Sequence, residues 1–347
     1  MQKIQAVLCG YYGFGNGGDE ALLAALLQML PEHVTPLVLS SDPAATEKLH
    51  GVESCDRNHF STVFSALRSS QAFIWGGGSL IQDATSALSP VYYTGLMFLA
   101  QRLGLKTIAW AQGIGPLNYR RNRWLAKQTF KGCAGVSVRD RNSTQFIQDW
   151  KLQASQAPDP VWALDATSVY RRVELPNPRI AVSLRAHPLL TPQRLQHLSE
   201  ALVLFQNQTQ ASILLLPFQP RQDLDIAQAL QKQLQGPSQV LQLSDPRQLK
   251  GVFQTVDMTI AMRLHALIMA AAEGCRCVGL SYDPKVMQLM TDIDCPGWEL
   301  EDLPTQPQTI SQVWVEHYRQ GQGLTEASRN GRCSQALEHQ KILEQVL

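Results

Sequence analysis

The sequence predicts an α/β protein built from two β/α domains, each resting on a parallel sheet. Three observations carry that expectation. Short runs of continuously apolar residues recur along the chain, helical stretches separate them, and 347 residues leave room for two such sheets at about 150 residues per domain. Strands that are apolar at every position belong to parallel sheets covered on both faces by helices.

The elements follow in order. Ile4 to Cys9 is β-prone and ends at Gly10. A glycine-rich stretch then leads into Glu20 to Leu30, whose alanines and leucines favour helix. Thr35 to Leu39 is the second strand. Ala72 to Trp75 is a strand running into three glycines, and Thr107 to Ala111 is a strand followed by Gln112-Gly-Ile-Gly115-Pro116. Gly135 to Val138 gives a further strand and Thr144 to Trp150 a short helix. Four prolines between Pro158 and Pro178 punctuate a weakly patterned segment, which reads as a domain boundary. The alternation resumes with strands at Ile180–Leu184, Ser212–Leu216, Val240–Leu243, Met258–Ala261 and Cys277–Leu280. Helices are expected at Gln193–Gln208, Leu224–Leu234, Pro246–Thr255, Leu264–Glu273 and from Gln308 onward.

Composition excludes several classes. With 44% hydrophobic and 17% charged residues the chain is an ordinary globular protein. A net charge of +1, near neutral on either side of Asp165, supplies none of the phosphate-backbone attraction that nucleic-acid binders use. The seven scattered cysteines lack CxxC or zinc spacing and read as reduced cytosolic thiols. No carboxylate or histidine cluster has metal-ligand spacing, so no metal is expected. The first residues lack the pattern of a signal peptide. The longest apolar stretch, Val91 to Ala100, falls short of the roughly 20 residues of a spanning helix.

In open parallel sheets ligands bind beyond the carboxyl ends of the strands, so the loops there carry the functional candidates. Gly13, Gly15 and Gly18 formally satisfy G-x-G-x-x-G, with Asp42 following the second strand. Against a dinucleotide, Asp19 and Glu20 stand in the first helical turn and would repel a pyrophosphate. Asp19 is either displayed as a base for a sugar hydroxyl or simply caps the helix. Trp75-Gly-Gly-Gly78-Ser79 and Gln112-Gly-Ile-Gly115 repeat the device, and three such strand ends make a rim whose amides suit anions. Arg139 and Arg141 offer guanidinium groups to a carboxylate or phosphate, or else pair with Asp140 or another acid. Arg263 and His265 fall at a strand-to-helix junction, where histidine either handles a proton or phosphate or is a hydrogen-bonded core residue. Lys285, after the next strand, suits a phosphate if it is not merely solvated. Tyr119 to Lys131 is basic with interleaved aromatics, either a solvated helix face or a contact with an anionic membrane surface or polyanion.

As a set, GYYGFGNGGDEAL, WGGGSLIQD, QGIGP, SVRDRNS, DPVWALD, SLR, MRLHALIMAAAEGC and SYDPK resemble the polysaccharide pyruvyl transferase family, most closely its CsaB type. They span most of the chain in order. The resemblance implies two Rossmann-like β/α domains facing across a cleft, a glycosyltransferase-B-like fold. These are an acceptor-side domain at 1–168, a donor-side domain at 169–320, and a helix at 321–347 packing back on the first. It implies transfer of pyruvate from phosphoenolpyruvate, without a cofactor, to a sugar of a cell-surface polysaccharide or its lipid-linked precursor. The product is a cyclic ketal. The acceptor suggested is an N-acetylmannosamine unit of a polymer that anchors surface-layer proteins, modified in the cytoplasm at the inner membrane face. By the same resemblance Asp19 is the base and His265 the acid or phosphate ligand. Arg139, Arg263, Lys285, Gly77 and Gly78 then hold the donor, and Asn16, Gly17, Asp83 and Gln112 line the acceptor side. The competing reading is a nucleotide-sugar glycosyltransferase of the same architecture, with Glu273 as its ribose-binding acid. An oxidoreductase and a non-catalytic polysaccharide binder are further alternatives.

Overall fold

A computed structural model describes residues 3–84, 86–169 and 172–347. Tyr170 and Arg171, inside the proline-bounded segment, lie outside the described residues. The chain forms two compact units. One comprises the chain up to Phe14, Asp19–Leu164 and Arg332–Leu347; the other comprises Gly15–Gly18 and Asp165–Gly331.

In the first unit the strands are β1 (Ile4–Cys9), β2 (Val34–Ser40), β3 (Glu53–Asp56), β4 (Ala72–Trp75), β5 (Gly78–Ile81), β6 (Lys106–Ile114), β7 (Gly135–Val138) and β8 (Ser155–Gln156). They form one sheet in the order β3-β2-β1-β4-β6-β7-β8, with β5 pairing β6 and every pairing parallel. The helices here are α1 (Gly17–Met29), α2 (Pro43–His50), α3 (Phe60–Ser69), α4 (Ser89–Arg102), α5 (Arg120–Lys131) and α6 (Arg141–Asp149). Ala6 to Cys9 and Ala72 to Trp75 are fully buried, as strands covered on both faces must be. Helix α1 is apolar all round and Ala21 to Leu26 are fully buried, so it is a core helix whose first turn is held rigidly.

The second unit carries β9 (Arg179–Ser183), β10 (Ser212–Leu215), β11 (Ser238–Val240), β12 (Met258–Ala261), β13 (Arg276–Ser281) and β14 (Gly297–Glu299), in the parallel order β11-β10-β9-β12-β13-β14. Its helices are α7 (Pro192–Thr209), α8 (Pro220–Gln233), α9 (Pro246–Val252), α10 (Leu264–Ala272), α11 (Pro284–Asp292) and α12 (Pro307–Gln320). Ile180, Phe205, Ile213, Ile260 and Trp314 fill its core. The chain ends in α13 (Glu326–Ala336) and α14 (Glu338–Val346).

Two expectations need correction. The Gly76–Asp83 stretch is not wholly loop: Gly78–Ile81 is strand β5, and Gly78 takes φ +117°, which a side chain would resist. The Gln112-Gly-Ile stretch is not loop either, because β6 runs on to Ile114.

Helix α14 packs on β6 and β7 through His339. Ser137 Oγ accepts from the Ala111 amide at 2.8 Å and donates to His339 Nδ1 at 3.0 Å, while His339 Nε2 donates to the Pro158 carbonyl at 3.0 Å. With Nε2 donating to that carbonyl, Nδ1 is the acceptor in the neutral imidazole that burial favours. Burial brings its pKa from 6.5 down to about 4, against the raising effect of the Pro158 carbonyl and Asp159. The contribution to stability is complete above about pH 6.5, where the unfolded imidazole is also neutral. It is lost as pH falls towards 4, because the unfolded chain takes up the proton first; the total is about 3 kcal/mol. Urea unfolding across that range should therefore show a steeper loss of stability in the wild type than in His339→Gln. Parallel curves would remove His339 as the cause.

Candidate functional site

Both sheets reverse their strand order once, the first between β1 and β4 and the second between β9 and β12. The crevice beyond the carboxyl ends of such strand pairs is where open α/β sheets bind ligands. Most of the candidate residues follow these four strands.

In the first unit, β1 leads into Gly10–Phe14 and α1. The Glu20 carboxylate accepts the Gly13 amide at 2.9 Å and contacts His50 Nε2 at 2.9 Å. A loop amide that a pyrophosphate would need is thus taken by the helix's own acid, which disfavours the dinucleotide reading. Half-buried Asp19 faces β5: a Cβ built on Gly78 would lie 3.7 Å from its Oδ1. The neighbouring Tyr12 hydroxyl has no hydrogen-bond partner among the described residues. Its pKa is pushed well above 10 by burial and then by Cys9, Asp19 and Glu20, so it stays protonated. Tyr12 also explains a glycine, since a Cβ on Gly76 would meet the Tyr12 Oη at 1.7 Å. Gly77 packs against Leu22.

Three other candidates of this unit have structural tasks. Asp83 is buried beneath the start of α5, where its carboxylate accepts the Asn118 amide at 2.7 Å, the Tyr119 amide at 3.0 Å and Asn122 Nδ2 at 3.2 Å. Burial works to raise its pKa, but those donors outweigh it and hold the carboxyl below its usual range. Gln112 is fully buried, and its amide donates to the Gly76 carbonyl at 2.7 Å and the Trp110 carbonyl at 2.9 Å. Arg139 is buried with Asp159 in an ion pair and donates to Ser79 Oγ at 3.0 Å. The expected rim cation is therefore neutralised by an acid 20 residues further on, and not by Asp140, which caps α6 through Ser143.

Sequence reasoning missed Arg57, just past β3. Its guanidinium donates to the Gly10 carbonyl and to the Tyr93 hydroxyl, and lies 4.8 Å from the Tyr92 ring and 5.5 Å from those of Phe14 and Tyr93. It braces the loop after β1. Nothing in the polar ESCDRN stretch signals this.

In the second unit the Gly15–Gly18 segment packs on its own partners. The Gly17 amide donates to the Phe218 carbonyl at 2.7 Å, and Asn16 Oδ1 accepts the Gly18 amide at 3.1 Å, so Asn16 supplies a cap to α1. A Cβ on Gly18 would lie 2.3 Å from His265 Nδ1, and one on Gly17 would strike Leu249. His265, half-buried in the first turn of α10, thus rests against a bare backbone. Arg263, immediately before it, is tied to fully buried Asp223 by Nη2 at 2.6 Å and Nε at 3.1 Å. This pair, like Arg139–Asp159, gives a candidate donor-binding cation an acidic partner.

Arg185 differs. It stands just beyond β9, and among the described residues its side chain bonds neutral groups: the Tyr282 hydroxyl at 2.8 Å, the Ala186 carbonyl at 3.4 Å and Gln222 Oε1 at 3.4 Å. Gln222 Oε1 also accepts from Arg263 at 3.5 Å, placing two guanidinium groups around one amide. The SLR tripeptide contained this residue, but an arginine after a strand carries no signal of which acids surround it. Lys285 is half-buried in the first turn of α11, where Asp283 accepts its backbone amide at 2.9 Å. Glu273 caps the far end of α10, next to the start of β13, and pairs with Lys250 at 3.7 Å. It is at the wrong end of the sheet for the ribose contact expected of a nucleotide-sugar enzyme.

The family model for polysaccharide pyruvyl transferase matches residues 16–284, more than half of the sequence. The chain belongs to the polysaccharide pyruvyl transferase family. No curated protein sequence matches it. Solved structures similar to this family member share its fold at low identity. UDP-GlcNAc 2-epimerase from Neisseria meningitidis has a TM-score of 0.64 at 9% identity, covering 99% of both chains. A glycosyltransferase from Rickettsia africae scores 0.56 at 13%, covering 99% of this chain and 98% of its own. MurG of Acinetobacter baumannii scores 0.53 at 14%, covering 99% of both. This pyruvyl transferase family member therefore has two parallel-sheet α/β domains of the glycosyltransferase-B-like kind. Among its described residues no group of His, Cys, Asp or Glu is placed to hold a metal ion, and no helix is long and apolar enough to cross a membrane.

Proposed function

We propose that the chain transfers pyruvate from phosphoenolpyruvate to a sugar of a cell-surface polysaccharide or its lipid-linked precursor, as a cyclic ketal, with release of phosphate. The observation that carries this reading is the cationic equipment at the β9/β12 end of the second sheet. Among the described residues Arg185 bonds neutral groups, and Lys285 and His265 occupy first turns of helices. A donor bearing both a carboxylate and a phosphate needs several such groups, and helix N-termini favour anions.

In this reading an acid protonates the methylene carbon of phosphoenolpyruvate, leaving an oxocarbenium-like centre at C2. One sugar hydroxyl attacks C2 and gives its proton to a base, the role assigned to Asp19. The second hydroxyl then attacks the same carbon, the C2–O bond to phosphate breaks, and that hydroxyl's proton leaves with the phosphate. His265 serves as the acid or the phosphate ligand. The acceptor proposed is of the N-acetylmannosamine type, reached from the cytoplasmic side as in the CsaB branch.

Thermal unfolding with candidate ligands tests the donor. A ligand that binds only the folded protein at about 100 times its Kd adds about 2.7 kcal/mol. Phosphoenolpyruvate should raise Tm in the wild type, while Arg185→Ala and Lys285→Ala should abolish the shift without lowering the ligand-free Tm. A shift with nucleotide sugars and none with phosphoenolpyruvate would replace pyruvyl transfer by glycosyl transfer.

A further inference from the structure

Between Asp83 and Asp140 the sequence contains no aspartate or glutamate, whereas the chain average of 29 acids in 347 residues would place about five there. The same stretch holds eight lysines and arginines, in a chain whose net charge is only +1. Apart from Arg139 these cations are at least partly exposed. They are concentrated on α5, where Arg120, Arg121, Lys127 and Lys131 have no carboxylate partner among the described residues.

Several of this unit's exposed apolar side chains lie on the same pair of helices, while Phe60, 69% exposed, stands apart at the start of α3. Helix α4 packs against α5. Along α4 the exposed positions are Tyr92, Gly95, Phe98 and Arg102, preceded by Leu88 at its N-cap, at three- and four-residue spacing and hence on one face, with Leu88 70% and Phe98 52% exposed. Along α5 the same spacing brings together exposed Arg120, Trp124 and Lys131 and half-buried Lys127, with Trp124 60% exposed. A merely solvated face mixes both signs of charge and hides its large apolar groups. A face that is all cation between protruding aromatics has the make-up of an interfacial helix at an anionic bilayer.

We propose that the α4–α5 face of the first unit docks on the surface of an anionic lipid bilayer. Phe98 and Trp124 enter the headgroup region while Arg120, Lys127 and Lys131 meet lipid phosphates. The single sign of charge opposes a second copy of the same face, and a soluble polyanion would leave Leu88 and Phe98 without a purpose. The inference stands apart from the proposed reaction, since it uses none of the residues assigned to it.

Co-sedimentation of the full chain with vesicles tests it, comparing phosphatidylcholine alone with phosphatidylcholine mixed with phosphatidylglycerol. Binding should require the anionic lipid. It should fall by at least about tenfold both in the Arg120→Glu/Lys127→Glu double variant and in the charge-preserving Phe98→Ser/Trp124→Ser variant. Arg120, Phe98 and Trp124 are exposed and Lys127 is half-buried on the helix surface, so Tm should change little. The proposal is overturned by equal binding to neutral vesicles, by no binding to either, or by binding that ignores the Phe98/Trp124 variant and is competed by polyphosphate. The last result would make the face a polyanion site. Self-association of the lipid-free protein that disappears in Phe98→Ser/Trp124→Ser would reassign it to a contact between copies.

Discussion

His265→Ala should lower kcat by about two to three orders of magnitude while the protein stays folded, the effect of losing a contact that matters only in the transition state, worth about 2.7 to 4 kcal/mol. The side chain is half-buried at the start of α10, so its removal leaves no large core cavity. Gly18→Ala tests the same imidazole without touching it. Alanine in a helix is ordinarily about 1 kcal/mol better than glycine, so propensity alone would make the change stabilising. Here the added methyl would sit 2.3 Å from His265 Nδ1 and must push the ring aside. Both variants should therefore lose turnover together, each with a Tm close to that of the wild type. Turnover at the wild-type rate in His265→Ala would falsify the assignment of chemistry to this residue.

Arg139→Ala should fail for a different reason, by losing about 3 to 5 kcal/mol of stability, because an acid would remain buried without its counter-charge. Both side chains of the Arg139–Asp159 pair are no more than 6% exposed. For a protein held by about 5 to 15 kcal/mol this is a large share, and unfolded protein would mimic loss of activity. Arg139→Met combined with Asp159→Asn should recover much of the loss, since no charge is then left buried and the side-chain oxygen still accepts the Val161 amide. Urea unfolding of the three proteins is the measurement. If Arg139→Ala kept its stability and lost only activity, Arg139 would return to the donor site.

The difference between these two cations measures how much the sequence could say. Strands such as Ala72–Trp75, Gly135–Val138 and Met258–Ala261 were legible to the residue, because burial on both faces leaves an unbroken apolar run. Strand β5 was not: three glycines in a row read as a turn, and only pairing with β6 makes Gly78–Ile81 extended. Strand β3, written Glu-Ser-Cys-Asp, sits at the sheet edge, where apolar residues are not demanded. For the site, glycines and cations after strands identified the loops. Which cation is matched by an acid depends on partners far along the chain, 20 residues away for Arg139 and 40 for Arg263. A local pattern contains no record of such a partner, and the same limit hid the bracing role of Arg57 on Gly10, 47 residues earlier. Asp83 and Gln112 show the same limit, because the bonds they make to nearby backbone cannot be read from their place beside glycines.

The histidine that locks α14 onto the first sheet has a consequence for how the chain is made. The last strand of that sheet ends at Gln156, yet the imidazole that completes the bonds of Ser137 and Pro158 comes 181 residues after Pro158. At synthesis rates of about 5 to 20 residues per second, the nascent sheet waits roughly 10 to 40 seconds for it. Throughout that interval Trp110 lacks the His339 carbonyl to which its indole finally donates at 3.0 Å, and the face of β6 and β7 on which α14 packs waits for its cover.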